Sequence, residues 1–192
     1  IALMTNDIEP TKYYLGSMTN KGSTNLIVEA NNDGGVAGVI GSIKVNVNNQ
    51  SLDDDTIKTQ IIAKELKNYG LVSNATGNSA GVVAEILGIN TQFVADNLLS
   101  ASNITNSASR LGGIIGYSQG YLVIKNAVLS NDVDGIENEN KIILTNKNYK
   151  SNIGAIVGEG NNVTIHNIEL DPHGILIVSN NLINYVQNEY AS

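Results

Sequence analysis

The residues most capable of chemistry sit in two short stretches. HNIELDPH, residues 166–173, holds both histidines of the chain, His166 and His173, beside Glu169 and Asp171. Two imidazoles and two carboxylates form a zinc-type donor set. SNDVDGIENE, residues 130–139, places Asp132, Asp134 and Gly135 at the third, fifth and sixth positions of an EF-hand-like loop, but the twelfth position is Lys141. The bidentate glutamate of that motif is missing. Asp132, Asp134, Glu137 and Glu139 would then bind calcium only as an irregular acidic loop, and a solvated loop is the simpler reading. Tyr117, Tyr121 and Tyr149 offer a modest platform for stacking a ligand ring. The Asp-Pro-His-Gly run at 171–174 reads as a turn, and no resident cofactor is expected.

Other chemistries find little material. The 192 residues contain no cysteine, which removes thiol nucleophiles, zinc–thiolate sites and disulfides. There is no HExxH and no GxxxxGK[ST] phosphate loop. AGVVAEILGINTQFVADNLL, residues 80–99, has the outline of a helix-turn-helix, yet no Lys or Arg occurs between Lys67 and Arg110. A recognition helix without cations holds phosphates poorly. The formal charge of −7 and the single arginine, Arg110, also argue against nucleic acid and anionic membranes as partners. No run approaches the roughly 18 apolar residues of a membrane helix.

A repeat organises the chain. AGVIG at 37–41, AGVVA at 80–84, GGIIG at 112–116 and GAIVG at 154–158 share a small-residue, double-aliphatic core. Aligning Val39, Val82, Ile114 and Ile156 gives spacings of 43, 32 and 42 residues. Upstream of each core lies an apolar stretch around Leu26, Leu71-Val72, Ile104 and Ile142-Ile143-Leu144, and Ile175-Leu176-Ile177-Val178 is a fifth copy. YLVIKNAVL (121–129) aligns with NVTIHNIEL (162–170), which sets Asn126 over Asn167 and His166 over the solvent-facing Lys125.

Short apolar runs bounded by Gly, Asn, Asp and Ser read as strands, three to a unit. Units this small bury their apolar faces only by stacking. The expected fold is an all-β solenoid, β-helix-like, of about four coils, with Asn126 and Asn167 bonded in a ladder. A β-sandwich with unequal hairpins is the alternative. Two helical insertions are expected. Ile57, Ile61, Ile62 and Leu66 share a helical face over about 56–69, after Asp53-Asp54-Asp55 and before Gly70. A second helix, or equally a strand, covers 91–100, with Phe93, Val94 and Leu98 inward.

GGIIGYSQGYLVIKNAVLSN (112–131) resembles the GLUG motif, GGLVGxxxGGxIxNxxxxG, and GAIVGEGNNVTIHNIEL (154–170) is a shorter match. AGVIG and AGVVA are degenerate copies without the following Ile-x-Asn. GLUG repeats occur in large bacterial surface proteins, among them adhesins and the non-catalytic regions of IgA-cleaving peptidases. The resemblance implies a secreted or surface-anchored segment, structural or adhesive, with no catalytic residues to carry over.

The expected organisation is an N-terminal cap and first strand over 1–33, repeats over 34–180, and a C-terminal cap or junction over 181–192. Because the chain begins at Ile1 rather than Met, it reads as a piece of a longer protein. The expected partner is a host or cell-surface protein or glycan, or a neighbouring domain. A carbohydrate-active enzyme on the same scaffold, or a self-assembling filament subunit, are the competing readings.

Overall fold

The computed structural model describes residues 2–5, 11–26, 35–45, 57, 59–74, 77–107, 109–133, 140–147, 152–179 and 182–186. The chain winds as a β-solenoid, one strand on each of four sides per coil. The first coil is β1 (Ala2–Thr5), β2 (Thr11–Asn20), β3 (Thr24–Leu26) and β4 (Val36–Ala37). The second is β5 (Ile40–Val45), β6 (Thr59–Asn68), β7 (Val72–Asn74) and β8 (Ser79–Ala80). The third is β9 (Val83–Leu87), β10 (Thr91–Ser100), β11 (Ile104–Ser107) and β12 (Leu111–Gly112). The fourth is β13 (Ile115–Ser118), β14 (Tyr121–Leu129), β15 (Ile142–Asn146) and β16 (Ile153–Gly154). A partial fifth coil is β17 (Val157–Gly160), β18 (Val163–Leu170) and β19 (Ile175–Ser179), after which β20 (Leu182–Val186) turns back.

Equivalent strands stack in parallel into four sheets. Sheet A is β1-β5-β9-β13-β17, sheet B is β2-β6-β10-β14-β18, sheet C is β3-β7-β11-β15-β19-β20, and sheet D is β4-β8-β12-β16. Among the described residues the one antiparallel pairing is β19 with β20. Strands of residues 2–26 already belong to the stack, so the sheets begin before the first small-residue core. Each coil has four sides rather than three strands. The extra side is the two-residue sheet D, which forms inside the small-residue core itself: in GGIIG, Leu111-Gly112 is the D strand and Ile115-Gly116 opens the A strand.

No helix occurs among the described residues: the helix expected over 56–69 is corrected to a strand, and 91–100 takes its strand alternative. Residues 59–68 are β6 and 91–100 are β10, paired to each other in register from Thr59↔Thr91 to Asn68↔Ser100. In β10 the fully buried side chains are Thr91, Phe93, Ala95, Leu98 and Ser100. The alternation breaks at Asp96-Asn97, where two successive side chains face out. β6 breaks at Lys64-Glu65 and β14 at Lys125-Asn126. Each long strand of sheet B is thus bent at its middle. The bend inserts a three-residue step into a two-residue period, and that step imitates helical spacing around Ile61, Ile62 and Leu66.

The core is a set of inward columns. In sheet B, Tyr13, Ile61, Phe93, Leu122 and Val163 stack in register. In sheet C, Val72, Ile104, Leu144 and Ile177 do the same. Val39, Val82, Ile114 and Ile156 form a third column at the turn between sheets D and A; all four are buried. Ile40 donates its N–H to Val82, Val82 to Ile114 and Ile114 to Ile156. Each fully buried aliphatic or aromatic side chain contributes roughly 1.5–3 kcal/mol relative to an exposed one.

Candidate functional site

The small residues of the repeat have a steric cause. The chain reverses so sharply between sheets D and A that the outer faces of the two sheets close on each other. A Cβ on Gly112 would overlap the carbonyl oxygen of Ile115, and one on Gly116 would stand 2.5 Å from the Ala84 oxygen and 2.7 Å from that of Ser79. The methyl groups of Ala37, Ala80 and Ala84 fill the same crease and form a small apolar cluster of their own. The glycine at the second position of the first three cores, Gly38, Gly81 and Gly113, faces the opposite corner, where a Cβ would run into Asn68, Ser100 or Leu129.

Along the mouth of this crease the side chains are polar, and they pair across it at a separation of seven residues. Asn78 donates to Glu85 at 3.0 Å, Asn152 donates to Glu159 at 2.6 Å, and between them the Arg110 guanidinium lies 4.0 Å from the Tyr117 ring centroid. The spacing follows from register. Val36, Ser79, Leu111 and Ile153 align in sheet D, and Ser42, Glu85, Tyr117 and Glu159 align in sheet A. Bonds also run from coil to coil. The Ser42 hydroxyl donates to Glu85 at 2.7 Å, and Arg110 Nε donates to Glu159 Oε2 at 2.7 Å.

The electrostatics follow from that ion pair. The hydrogen bond from Arg110 is the main cause that holds the Glu159 carboxyl below its ordinary range; partial burial opposes it, while the charge of Arg110 and the Asn152 amide assist. The same bond raises the Arg110 guanidinium. Both side chains are about a third exposed, so the pair contributes no more than about 1 kcal/mol. Glu85 is almost fully buried, yet each of its oxygens accepts a neutral donor, from Ser42 and Asn78. Between the two bonded halves of the ladder lies a groove of about 370 Å³, lined by Gly77, Asn78, Glu85, Leu87, Ser109, Arg110 and Tyr117.

The residues singled out from sequence are distributed differently. Tyr117 lies in the groove; Tyr121 stands on sheet B, half-buried; Tyr149 lies outside the described residues. Asn167 donates to Asn126 at 2.8 Å, and Asn126 donates onward to Asn97 at 2.9 Å, a three-residue ladder on the bend of sheet B. Of the acidic loop only Asp132 is described; its N–H is bonded by the Ser130 hydroxyl. Asp134, Glu137 and Glu139 lie outside the described residues. His166 and Glu169 are exposed on β18, whereas Asp171 is fully buried at the next corner, where its carboxylate accepts the N–H groups of Asn131 and His173. Among the described residues no three His, Asp or Glu gather as metal ligands.

Sequence reasoning passed over Asn78, Glu85, Arg110, Asn152 and Glu159. The available signal was their constant offset: each pair flanks a small-residue core, seven residues apart. No family model, curated protein or solved structure matches the chain.

Proposed function

We propose that this chain is a non-catalytic, structural and adhesive repeat segment of a secreted or surface-anchored bacterial protein. The observation that carries the reading is the use made of the repeat. Its aliphatic positions build the inter-coil column at Val39, Val82, Ile114 and Ile156, and its glycines permit the crease. The repeated residues therefore serve stacking, which leaves the variable positions at the mouth of the crease and on the bend of sheet B to meet partners. The resemblance to GLUG repeats supports the same reading. Protease shaving of intact source cells, with purified chain tested for adhesion to immobilised glycans and host-surface proteins, provides the test. Surface release together with saturable adhesion is the expected result. Retention inside the cell, or absence of adhesion, overturns the corresponding half of the proposal.

The carbohydrate-active alternative has one observation in its favour. Glu85 and Glu159 occupy one row of sheet A, two strands apart, with Tyr117 between them. Two strand spacings amount to about 9.6 Å, near the upper end of the separation used by inverting glycosidases. Against it, Glu159 is held ionised by Arg110, the opposite of what a general acid needs. The filament alternative meets β20, which lies against β19 where a stacked copy would have to continue sheet C.

A further inference from the structure

We infer that the groove between Glu85 and Arg110 is a binding site for a neutral, hydroxyl-rich ligand, a sugar residue. The polar ladder along the crease is continuous on either side of this groove and interrupted at it. On one side, Ser42, Glu85 and Asn78 are bonded to one another; on the other, Arg110, Glu159 and Asn152 are. Among the described residues nothing bridges Glu85 and Arg110, although both line the same groove.

The groups around the gap specify the ligand. Asn78 is only 7 % exposed, and its Nδ2 is committed to Glu85, which fixes the orientation of the amide. Its Oδ1 is buried and has no hydrogen-bond partner among the described residues. A buried acceptor in that state is unfavourable, so a donor that reaches it is favoured. Glu85 adds further acceptor capacity. Arg110 uses Nε toward Glu159 and keeps the rest of its fork for an acceptor. The site therefore takes a donor at the Asn78–Glu85 end and an acceptor at the Arg110 end. Adjacent hydroxyls of a sugar ring provide both at once. A charged ligand fits less well: an anion meets Glu85 and Glu159, and a cation meets Arg110. Leu87 supplies an apolar wall, and about 370 Å³ is at the small end of ligand pockets, the scale of one or two rings.

This site deepens the adhesive reading and rests on it in one respect: the groove holds the sugar and does not cleave it. The test is titration of the chain, followed by saturation-transfer NMR, with glucose, galactose, mannose, N-acetylglucosamine, lactose and cellobiose. Glucuronate and glucosamine serve as charged controls. At least one neutral sugar is expected to bind with a Kd of order 1 mM, and the charged controls about tenfold more weakly. Asn78→Ala and Arg110→Lys are each expected to lower the affinity about tenfold. Since Asn78→Ala also removes a bond to Glu85, Leu87→Trp is the second variant: it fills the groove without touching the ladder, and binding is expected to vanish while unfolding stays cooperative. No saturable binding below about 20 mM, binding that survives all three variants, or preference for a charged control overturns the site. Release of new reducing ends from lactose or cellobiose leaves the site standing and overturns the non-catalytic reading.

Discussion

A methyl group at Gly112 has no free space to occupy, because the Ile115 carbonyl already stands there. Gly112→Ala is expected to destabilise the chain by about 2–3 kcal/mol, read from the urea midpoint. Gly16, on the outer face of β2, has nothing within 4 Å of its virtual Cβ. Gly16→Ala is expected to be neutral or to stabilise by up to about 1 kcal/mol, since glycine inside a strand carries an entropic penalty. Equal effects at the two positions would refute the steric account of the crease. The Arg110–Glu159 pair makes a prediction in pH. Because the folded carboxyl is depressed, its stabilisation is present above the unfolded glutamate pKa of about 4.3 and disappears as pH falls through the lower, folded value. Glu159→Gln should therefore lower stability modestly at neutral pH, by less than about 1 kcal/mol, and match the parent chain in strong acid. A difference that grows on acidification would reverse the sign of the argument.

At the scale of elements, two asparagine ladders ought to differ in worth. Asn68 closes the corner between β6 and β7: it is fully buried, accepts the Gly70 N–H and the Asn20 amide, and donates to the Gly70 carbonyl and the Ser102 hydroxyl. Asn68→Ala strands several of those groups and is expected to cost about 2–3 kcal/mol. Asn167, at the exposed end of the other ladder, should cost under about 1 kcal/mol when replaced by Ala, because water substitutes for its partner. Denaturation midpoints of the two variants decide it. The sheet-B strands also explain which elements were legible in the sequence. The coil period was readable because Val39, Val82, Ile114 and Ile156 lie between small residues at every turn. β6 was misread because the outward pair Lys64-Glu65 shifts the inward set from Ile61 and Ala63 to Leu66 and Asn68. The groove was illegible for another reason. Asn78, Glu85, Arg110 and Tyr117 are marked only by the seven-residue offset across each small-residue core, and that offset becomes a contact only through a turn and a stacking register.

For the whole molecule, each coil touches chiefly its neighbours, so protection should be graded along the axis. Phe93, Leu98 and Ile124 in the middle coils are buried, while Val163 and Ile168 of β18 are 40 % and 46 % exposed. Amide hydrogen exchange is expected to be slowest in β9–β15 and faster in β2 and β18; uniform protection would mean that the stack opens only as one unit. One feature of the coils reaches beyond stability. The passage from sheet A to sheet B takes three residues between β9 and β10 and thirteen between β5 and β6, yet the strands on either side keep register. Likewise three residues join β10 to β11, and twelve join β14 to β15. Corners that accept connections of three to thirteen residues without moving a column make the fold an open chassis. New loops can be grafted, lengthened or shed in evolution, one coil at a time, and the molecule they are displayed on does not have to be reinvented.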